Sequence, residues 1–412
     1  MIFIYNTFVF FYLWGIHAMA FVNEKARLWV SGRKNILQKI SDILQKDNRK
    51  KIAWFHCASL GEFEQGRPLI EAFREARPDY RIFLTFFSPS GYEVRKNYPG
   101  ADYVFYLPAD TPRNSARFLK ILSPEIVFFI KYEYWYNYLA VLKKQGIPVY
   151  MVSAIFRPSQ PFFRWYGSWF RKQLNHLSWF FVQDENSERL LHSIGIEKVS
   201  VSGDTRFDRV SAIAGQEKKM TEIDDFCGDS QVIIAGSTWP EDEKILFPFI
   251  QDNKAKYKFI IASHEADKQR IDRLLEQLGE GSIRYTGITQ SELQEARVLV
   301  IDTIGLLAFL YKYAFISYIG GGFGVGIHNI LEPAAFGVPV IFGPNYQRFR
   351  EARELIQEGG AISIKNPEEF GEAFSALTMP AERDRVSQIC LAFIKANQGA
   401  TSRILNHISS NS

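Results

Sequence analysis

Residues 320–344 read GGGFGVGIHNILEPAAFGVPVIFGP, and this stretch decides the fold class. It follows an apolar run at residues 313–319, which predicts a buried strand. Five closely spaced glycines come next, and a loop of this kind can adopt positive φ angles and approach a ligand. Asn329 and Glu332 match a capping box, so we predict that a helix begins at Asn329. A strand, a glycine loop and a helix N-terminus can together bind phosphate, but an ordinary βα turn gives the same pattern.

Length and composition bound the class of protein. A chain of 412 residues is too long for one ordinary domain, and 47% hydrophobic residues are enough for sizeable cores. The net charge of +4 is mild, so we expect no nucleic-acid partner. Three widely spaced cysteines, Cys57, Cys227 and Cys390, argue against a disulfide framework and against a metal cluster.

Residues 1–22 are the most apolar part of the chain and are just long enough to span a bilayer, although Asn6, Thr7 and His17 interrupt them. They lack the basic start and the cleavage site of a removed signal peptide. The segment that follows has more cations than anions: Lys25, Arg27, Arg33, Lys34, Lys39, Lys46, Arg49, Lys50 and Lys51 against Glu24, Asp42 and Asp47. We therefore predict a membrane anchor with the body of the protein on the cytoplasmic side, where these cations can bind anionic lipid. The alternative is a buried N-terminal helix of the first domain.

From residue 51 onwards, short apolar runs alternate with helix-length segments, which predicts βαβ units and parallel sheets. The pattern fades at residues 211–230, the best candidate linker, and then restarts. We predict strands at residues 52–58, 80–87, 103–107, 126–130, 148–154, 179–183, 199–203, 232–235, 257–262, 297–302, 314–319, 338–342 and 361–364, a turn at 88–91, and helices at 64–76 and 388–408. Two α/β halves joined by a hinge form a cleft, and ligands in such folds lie outside the carboxyl ends of strands.

Three charged residues follow predicted strands of the first half. Glu62 lies at a glycine turn and could act as a general base, or it could simply favour a helix N-terminus. Glu133 lies among aromatic residues, where its pKa should be raised unless a cation such as Lys131 pairs with it. Arg206 could meet an anionic ligand, or it could form a salt bridge with a neighbouring aspartate.

The second half places polar or flexible residues after successive strands. These are Ser237 and Thr238, Ser263 and His264, and then Ile304, Gly305 and Leu306. Each group could be a plain turn, but their recurrence at one edge of a sheet favours a phosphate or nucleotide site. In the first half, Arg157 and Arg164 lie in an aromatic segment whose composition suits an anionic lipid headgroup, or a proline-broken loop packed on the core.

With these motifs in place, the chain resembles the Kdo (3-deoxy-D-manno-octulosonic acid) transferases. These are membrane-associated glycosyltransferases of the GT-B architecture that move Kdo from CMP-Kdo to lipid A precursors. The resemblance runs from about residue 21 to the C-terminus. Its most specific part resembles the family's Gly-His-Asn-Pro-Leu-Glu-Pro-Ala signature and includes Gly326, His328, Asn329, Ile330, Leu331 and Glu332, with Ile330 in the place of the proline.

The resemblance implies roles for the other motifs. Residues 59–62 resemble the segment that holds the family's general base, which would be Glu62, and residues 133–135 resemble the segment with the second carboxylate, Glu133. Arg206 stands where the family has a cationic transition-state stabiliser. Residues 236–238 and 302–305 match nucleotide-side motifs, whereas residues 263–268 match theirs only loosely, and Leu306 replaces a usual acidic residue.

The fold and function that the resemblance implies are specific. We expect a GT-B-like α/β fold of two Rossmann-type parallel-sheet domains facing a cleft. Its parts are an anchor helix at residues 1–22, an acceptor-side domain at 23–210, a linker at 211–230, and a CMP-sugar domain at 231–412 whose last helix packs back toward the first domain. The reaction would be inverting transfer of Kdo to a lipid A precursor in lipopolysaccharide core biosynthesis, at the cytoplasmic face of the cell inner membrane, in contact with membrane lipid and with no metal or other cofactor. The alternatives are another GT-B enzyme that uses a UDP-sugar, including an epimerase, and a non-catalytic glycolipid-binding protein.

Overall fold

The computed structural model describes residues 1–46 and 51–410, so Asp47, Arg49 and Lys50 of the predicted basic flank lie outside the described residues. The chain divides into two compact units. Unit 1 comprises Met1–Arg209 and Gln398–Ser412, and unit 2 comprises Val210–Asn397. Each unit contains one parallel sheet of seven strands. The predicted α/β class with two parallel sheets is confirmed.

The sheet of unit 1 has the strand order β3-β2-β1-β4-β5-β6-β7. Its strands are β1 (Lys51–Cys57), β2 (Tyr80–Phe86), β3 (Tyr103–Tyr106), β4 (Ile126–Ile130), β5 (Val149–Ala154), β6 (Trp179–Val182) and β7 (Val199–Val201). Its helices are α1 (Ile2–Met19), α2 (Glu24–Gly32), α3 (Ile36–Leu44), α4 (Leu60–Ala76), α5 (Pro89–Arg95), α6 (Pro112–Leu122), α7 (Tyr136–Gln145), α8 (Ser168–Leu174) and α9 (Glu185–His192), with a 3₁₀ turn at Pro161–Phe163. Helix α10 (Thr205–Ala214) runs across the division into unit 2.

The sheet of unit 2 has the order β10-β11-β9-β8-β12-β13-β14. Its strands are β8 (Val232–Thr238), β9 (Lys258–Ser263), β10 (Ser282–Arg284), β11 (Val298–Ile301), β12 (Ala314–Ile319), β13 (Val340–Phe342) and β14 (Ala361–Ser363). Its helices are α11 (Thr221–Cys227), α12 (Pro240–Asn253), α13 (Lys268–Leu278), α14 (Gln290–Glu295), α15 (Leu307–Leu310), α16 (Leu331–Ala335), α17 (Arg350–Glu358), α18 (Pro367–Thr378) and α19 (Pro380–Asn397), with a 3₁₀ turn at Tyr311–Tyr313. Helix α20 (Ala400–Ser410) belongs to unit 1.

The sheet of unit 1 is buried on both faces, which explains its unbroken apolar strands. Successive residues of β1 point to opposite faces, so Trp54 joins one core cluster and Phe55 joins the other. Ile404 and Ile408 of α20 pack in the same cluster as Phe55. The C-terminal helix therefore completes one layer of unit 1.

Several predicted boundaries were wrong. Helix α4 begins at Leu60 instead of residue 64, so Glu62 lies in its first turn. The predicted turn at 88–91 is the start of α5, where the Ser88 side chain caps the helix and Pro89 suits its first turn. The predicted helix 388–408 is two helices, because Gly399 has a φ of +95° and breaks it.

Two other differences concern weak sequence patterns. Strand β10 was missed because its three residues, Ser-Ile-Arg, contain no apolar run. The predicted linker at 211–230 contains the end of α10 and the whole of α11. The predicted domain limits themselves stay predictions.

Helix α1 lies along unit 1 as the most apolar helix of the part of the chain that the structure describes. It is long and apolar enough to cross a membrane by length and composition. Contacts near its start hold it to the unit: the Tyr5 hydroxyl donates to Asp110 Oδ2 at 2.6 Å, and Asn137 Nδ2 donates to Asn6 Oδ1 at 2.9 Å. Phe10 and Trp14 on its other side are exposed. A helix is thus present where the anchor was predicted, with one side docked on protein, and its role as a membrane anchor stays a prediction.

Candidate active site

Both sheets reverse their strand order at one point. In unit 1 the reversal lies between the neighbouring strands β1 and β4, and in unit 2 it lies between β8 and β12. Loops that leave such a pair of strands diverge to opposite faces of the sheet and open a crevice for a ligand. Glu62 and Glu133 follow the first pair, whereas Ser237 lies near the end of β8 and the glycine loop follows β12. The strongest sequence candidates therefore fall at the two switch points.

Glu62 is a poorly ionised carboxyl group at the switch point of unit 1. Its Oε2 accepts a hydrogen bond from the Ala58 backbone N–H at 2.5 Å. Burial and then the charge of Glu133 raise the pKa of Glu62 to about 8, although the Ala58 N–H and the charge of Lys131 act in the opposite direction. A carboxyl group with this pKa is a much stronger base than an ordinary glutamate.

Glu133 is locked into a buried cluster that the sequence did not predict. Its Oε2 lies 2.9 Å from Nε2 of His56 on β1, and the indole N–H of Trp135 donates to the same oxygen. Glu133 and His56 are both buried. The only sequence signal for His56 was a titratable residue inside an apolar strand, and such a residue needs a partner when buried.

The other side of the His56 ring fixes its orientation. Nδ1 lies 2.8 Å from Thr85 Oγ1 and 3.1 Å from the Thr85 carbonyl oxygen. Because a carbonyl can only accept, this contact favours a proton on Nδ1. Nε2 faces Glu133 Oε2 and also lies 3.1 Å from the indole nitrogen of Trp135. The contacts with His56 and Trp135 together hold the Glu133 carboxyl group in one place.

Arg206 forms an ion pair with Asp204. Its Nε and one terminal nitrogen lie 2.8 and 2.7 Å from Asp204 Oδ2, and its backbone N–H donates to Oδ1 at 2.9 Å. Burial acts to raise the pKa of Asp204, but Arg206 holds it below the usual value. The alternative of a structural salt bridge is therefore present, and it does not exclude a role toward an anion.

Three of the first-half candidates lie near enough to Tyr132 for their charges to act on it. Burial raises the pKa of the Tyr132 hydroxyl, and the charges of Arg157, Glu62 and Arg206 all act on it. Arg157 is exposed, as is Arg164. Next to Arg164 the Trp165 side chain is 92% exposed, so this aromatic segment is not packed on the core at that point.

The glycine loop of unit 2 is needed first for packing against protein. A Cβ at Gly320 would lie 2.3 Å from the Ser237 carbonyl oxygen, and one at Gly322 would lie 2.5 Å from the Gly343 nitrogen. Gly321 and Gly326 have φ angles of +90° and +119°. A Cβ at Gly324 would meet nothing closer than 4.0 Å. Close approach to a ligand, the prediction from the glycine count, is therefore open mainly around Gly324.

The helix after the loop begins later than predicted. Helix α16 begins at Leu331, and Ile330 takes the N-cap position without a side-chain cap. The Asn329 side chain accepts from the Leu331 N–H at 3.2 Å and donates to Glu332 Oε1 at 3.1 Å. The predicted capping box was wrong because Glu332 binds the side-chain amide of Asn329 instead of its backbone N–H.

Three aromatic rings stack at the switch point of unit 2. The ring centres of Trp239 and His264 are 4.5 Å apart, and those of His264 and His328 are 4.6 Å apart. The Trp239 indole N–H donates to His328 Nε2 at 3.0 Å, which requires a neutral His328 with its proton on Nδ1. Burial and then the charge of His264 lower the pKa of His328 to about 4, in agreement with that state. Trp239 was missed, although it directly follows the predicted Ser237 and Thr238.

Two buried carboxylates, Asp242 and Glu243, accept hydrogen bonds from groups in several of these loops. Asp242 accepts from the backbone N–H groups of Trp239 and Gly321 and from the Tyr318 hydroxyl, at 2.8 to 2.9 Å. Thr238 Oγ1 donates to Glu243 Oε1 at 3.0 Å, and Arg270 bridges Glu243 to the Ser263 hydroxyl. The hydroxyls of Thr238 and Ser263 therefore hold the ends of β8 and β9 in place.

The remaining candidates lie farther along the same edge. Ile304, Gly305 and Leu306 follow β11, which is separated from β8 by β9. The Ile304 side chain is exposed, and Gly305 has a φ of +93°. Among the residues that the structure describes, no three or more histidine, cysteine or acidic residues are grouped so that they could hold a metal ion.

Comparisons with known proteins bear on this arrangement. A family profile described as 3-deoxy-D-manno-octulosonic-acid transferase (kdotransferase) matches residues 34–209. The 3-deoxy-D-manno-octulosonic acid transferase of Bordetella pertussis is 29% identical over 375 residues, covering 86% of each chain. That of Rickettsia felis is 27% identical over 369 residues, covering 86% of this chain and 78% of its own.

Solved structures agree on the fold. The UDP-GlcNAc 2-epimerase of Neisseria meningitidis superposes with a TM-score of 0.60 at 17% identity, covering 88% of this chain and all of its own. Acinetobacter baumannii MurG gives 0.53 at 13% identity with the same coverage. These likenesses confirm the GT-B-like architecture and carry no information on the substrate. The profile match over residues 34–209 and the relatives that align along most of the chain show that it is similar to the Kdo transferases, a family of glycosyltransferases.

Proposed function

We propose that the protein transfers Kdo from CMP-Kdo to a lipid A precursor, with inversion at the anomeric carbon and with Glu62 as the general base. The observation that carries the proposal is the raised pKa of Glu62, about 8, at the β1/β4 switch point. A base is most effective when its pKa lies near the working pH. Similarity to the Kdo transferases, which act in lipopolysaccharide biosynthesis, supports the choice of donor and acceptor.

The reaction then follows from the groups of unit 1. The ionised Glu62 takes the proton of an acceptor hydroxyl while that oxygen forms a bond to the anomeric carbon of Kdo. The bond from the anomeric carbon to the CMP phosphate breaks, and CMP leaves as an anion from the opposite face. Glu133, held by His56 and Trp135, orders the acceptor or offsets the positive charge that develops on the sugar. Arg206 balances the negative charge that develops on the departing phosphate.

Unit 2 is proposed to bind the donor. The neutral His328 carries its proton on Nδ1, which can donate to phosphate without adding a cation to the loop. The side-chain hydrogen bond from Asn329 orients the Glu332 carboxylate, which we assign to the ribose hydroxyls. Ser237, Thr238, Ser263, His264 and the β11 loop with Ile304, Gly305 and Leu306 frame the nucleotide, and Gly326, Ile330 and Leu331 shape the loop beneath it.

The acceptor side is proposed to work at the cytoplasmic face of the cell inner membrane. The exposed Arg157 and Arg164 match an anionic headgroup, and the exposed Trp165 suits the boundary between headgroups and acyl chains. Helix α1 contributes an exposed apolar side that includes Phe10 and Trp14. Because residues near its start bond to unit 1, the helix is best accommodated along the membrane surface.

No cofactor is part of the proposal. The charge of the departing phosphate is met by hydrogen-bond donors and Arg206 in place of a metal ion. Transfer in the presence of excess EDTA should therefore equal transfer without it. A rate that EDTA abolishes and Mg²⁺ restores would contradict this part of the proposal.

The decisive test is transfer of radiolabelled Kdo from CMP-Kdo, generated in situ, to a tetra-acylated lipid A precursor in detergent. Wild type, Glu62→Gln and Glu75→Gln are compared, because Glu75 is an exposed glutamate on the same helix. We expect product from wild type and from the Glu75 variant and none from the Glu62 variant, which should still bind CMP. Turnover by Glu62→Gln would remove Glu62 from its role. Absence of product from folded wild type, or transfer from a UDP-sugar instead, would overturn the proposed donor and acceptor.

A further inference from the structure

A cavity of about 330 Å³ lies in unit 1 between helix α1 and the segment that carries Glu133. Val9 and Leu13 of α1 form part of one wall, and Trp29, Phe87 and Trp135 form part of the other. We call this space the α1 cavity. Its volume lies at the lower end of the range of ligand pockets, roughly 300–1,000 Å³. The walls are apolar except near Asp110, Tyr132 and Glu133, so the cavity adjoins one of the two candidate catalytic carboxylates, Glu133.

Side-chain contacts near the start of α1 fix the position of this helix on unit 1. The Tyr5 hydroxyl bonds to the buried Asp110, and the Tyr5 and Tyr136 rings meet edge to face with centres 4.8 Å apart. Asn6 and Asn137 add a side-chain hydrogen bond at 2.9 Å. Polar contacts of this kind fix the register of an apolar helix against its support better than apolar packing alone. The α1 cavity is therefore a defined space under a fixed helix.

The cavity wall continues into an exposed apolar surface. Residues 5, 8, 9, 12 and 13 of α1 line the cavity, which is the spacing of one helix face. Phe10, Phe11 and Trp14 are each more than 60% exposed. A helix that is apolar all round and docked along one side presents its other side to an apolar phase, here the membrane. Phe8 and Tyr12 line the cavity and are themselves exposed, so the cavity wall is continuous with this apolar surface.

A second cavity, of about 540 Å³, adjoins the first through Leu13, Trp29 and Ala109. Lys34 and Arg117 line it, and none of the described residues that line it is acidic. The Arg33 guanidinium lies 3.7 Å from the Trp29 ring centre and donates to backbone carbonyls, which keeps another positive charge at this junction. An apolar space joined to a cationic one is complementary to an anionic amphiphile.

We propose that the α1 cavity binds one fatty acyl chain of the anionic glycolipid acceptor and so brings its sugar headgroup to Glu133 and Glu62. This inference rests on the proposed function, because that function makes the acceptor an acylated glycolipid. It makes α1 a part of the acceptor site as well as a membrane contact. Acyl chains of bulk phospholipids are the competing occupant, and the test separates the two.

The test fills the cavity with a larger side chain. Val9→Trp narrows the α1 cavity, and Val22→Trp makes the same change at a position that is 81% exposed. We expect Val9→Trp to raise KM for a tetra-acylated acceptor by about tenfold or more, since excluding roughly two methylene groups has that effect. KM for CMP-Kdo and for the water-soluble deacylated acceptor should stay within about twofold, and Val22→Trp should match wild type throughout. Leu13→Trp, with circular dichroism of each variant, guards against a result that comes from misfolding.

Three results would overturn the inference. The first is an unchanged KM for the acylated acceptor in both cavity variants. The second is an equal rise in KM for the deacylated acceptor. The third is that phosphatidylglycerol prevents crosslinking of the acylated acceptor in the cavity as well as unlabelled acceptor does. The last is measured with an acceptor that carries a diazirine on its acyl chain, which should crosslink to α1 and to residues 132–135 in wild type and not in Val9→Trp. This crosslink needs no donor. Failure of Kdo transfer with an intact crosslink would therefore count against the proposed function alone, and transfer without the crosslink would count against the cavity alone.

Discussion

Glu62→Gln should stabilise unit 1 while it abolishes transfer, and the gain in stability should grow with pH. In the unfolded chain the carboxyl group ionises with a pKa near 4.5, whereas in the folded protein its pKa is about 8. Between these values the unfolded state has lost a proton that the folded state still holds. Stability therefore falls as pH rises through this window, since it falls wherever the folded state binds more protons. Glutamine keeps the shape of the side chain and removes the titration.

The magnitude follows from the two pKa values. Each tenfold difference in proton affinity is worth about 1.4 kcal/mol, so ionised Glu62 costs the folded state about 5 kcal/mol above pH 8. At pH 7 the cost is about 3 kcal/mol, and near pH 5 it is about 1 kcal/mol or less. Burial is the largest cause, and the like charge of Glu133 is the next. An ionisable group whose charged form destabilises the folded protein is expected at a functional site.

Hydrogen–deuterium exchange of the β1 amides measures the opening free energy of unit 1 without reference to unit 2. Wild type, Glu62→Gln and the exposed control Glu75→Gln are compared at pH 5 and pH 8. We expect Glu62→Gln to slow exchange at pH 8 far more than at pH 5, and Glu75→Gln to match wild type at both. An effect of Glu62→Gln that is the same at both pH values would refute the reasoning, because it would show that Glu62 titrates alike in the folded and unfolded states.

Three further predictions test separate parts of the structure. Glu133→Gln removes a negative charge near Glu62 and should lower the pKa of Glu62, so the acid limb of the kcat/KM profile should move to lower pH. An acid limb that does not move would show that Glu133 does not influence the ionisation of Glu62. Gly320→Ala should destabilise unit 2 by about 1–3 kcal/mol in urea unfolding, because its Cβ would overlap backbone, whereas Gly324→Ala should cost less than about 0.5 kcal/mol. Tyr5→Phe removes one donor from a buried carboxylate and should weaken the docking of α1 by about 1–3 kcal/mol, seen as faster amide exchange in α1 and nowhere else.

The strands were predictable because both sheets are buried on two faces, so that their strands read as continuous apolar runs. Each predicted strand has a counterpart in the structure. Only β10, with a single apolar residue, lacked the signal. Glu62 and Glu133 were selected as candidates for a related reason: a carboxylate that comes soon after such a run lies at the carboxyl edge of the sheet, where ligands bind in folds of this kind.

The partners of these residues could not be predicted, because they depend on strand order. His56 and Glu133 are 77 residues apart, and they meet only because β4 pairs with β1 rather than with β3. Trp239, His264 and His328 likewise come from three separate loops. Local sequence patterns carry no information on which strands become neighbours. The glycine loop was misjudged for the same reason, since Gly322 packs on Gly343, which the sequence alone cannot place beside it.

The two switch points differ in the surroundings of their buried carboxylates, and this difference agrees with the proposed division of the site into a part for chemistry and a part for binding. In unit 2, Asp242 accepts three hydrogen bonds and Glu243 pairs with Arg270, so both serve to hold loops. In unit 1, Glu62 faces a second carboxylate, and its ionised form is penalised. A group kept in an unfavourable state retains the driving force to accept a proton, whereas a fully bonded one does not. Proton transfer is therefore expected to fail in variants of unit 1 that still bind the nucleotide, and nucleotide affinity to fall in variants of unit 2 that leave the pKa of Glu62 unchanged.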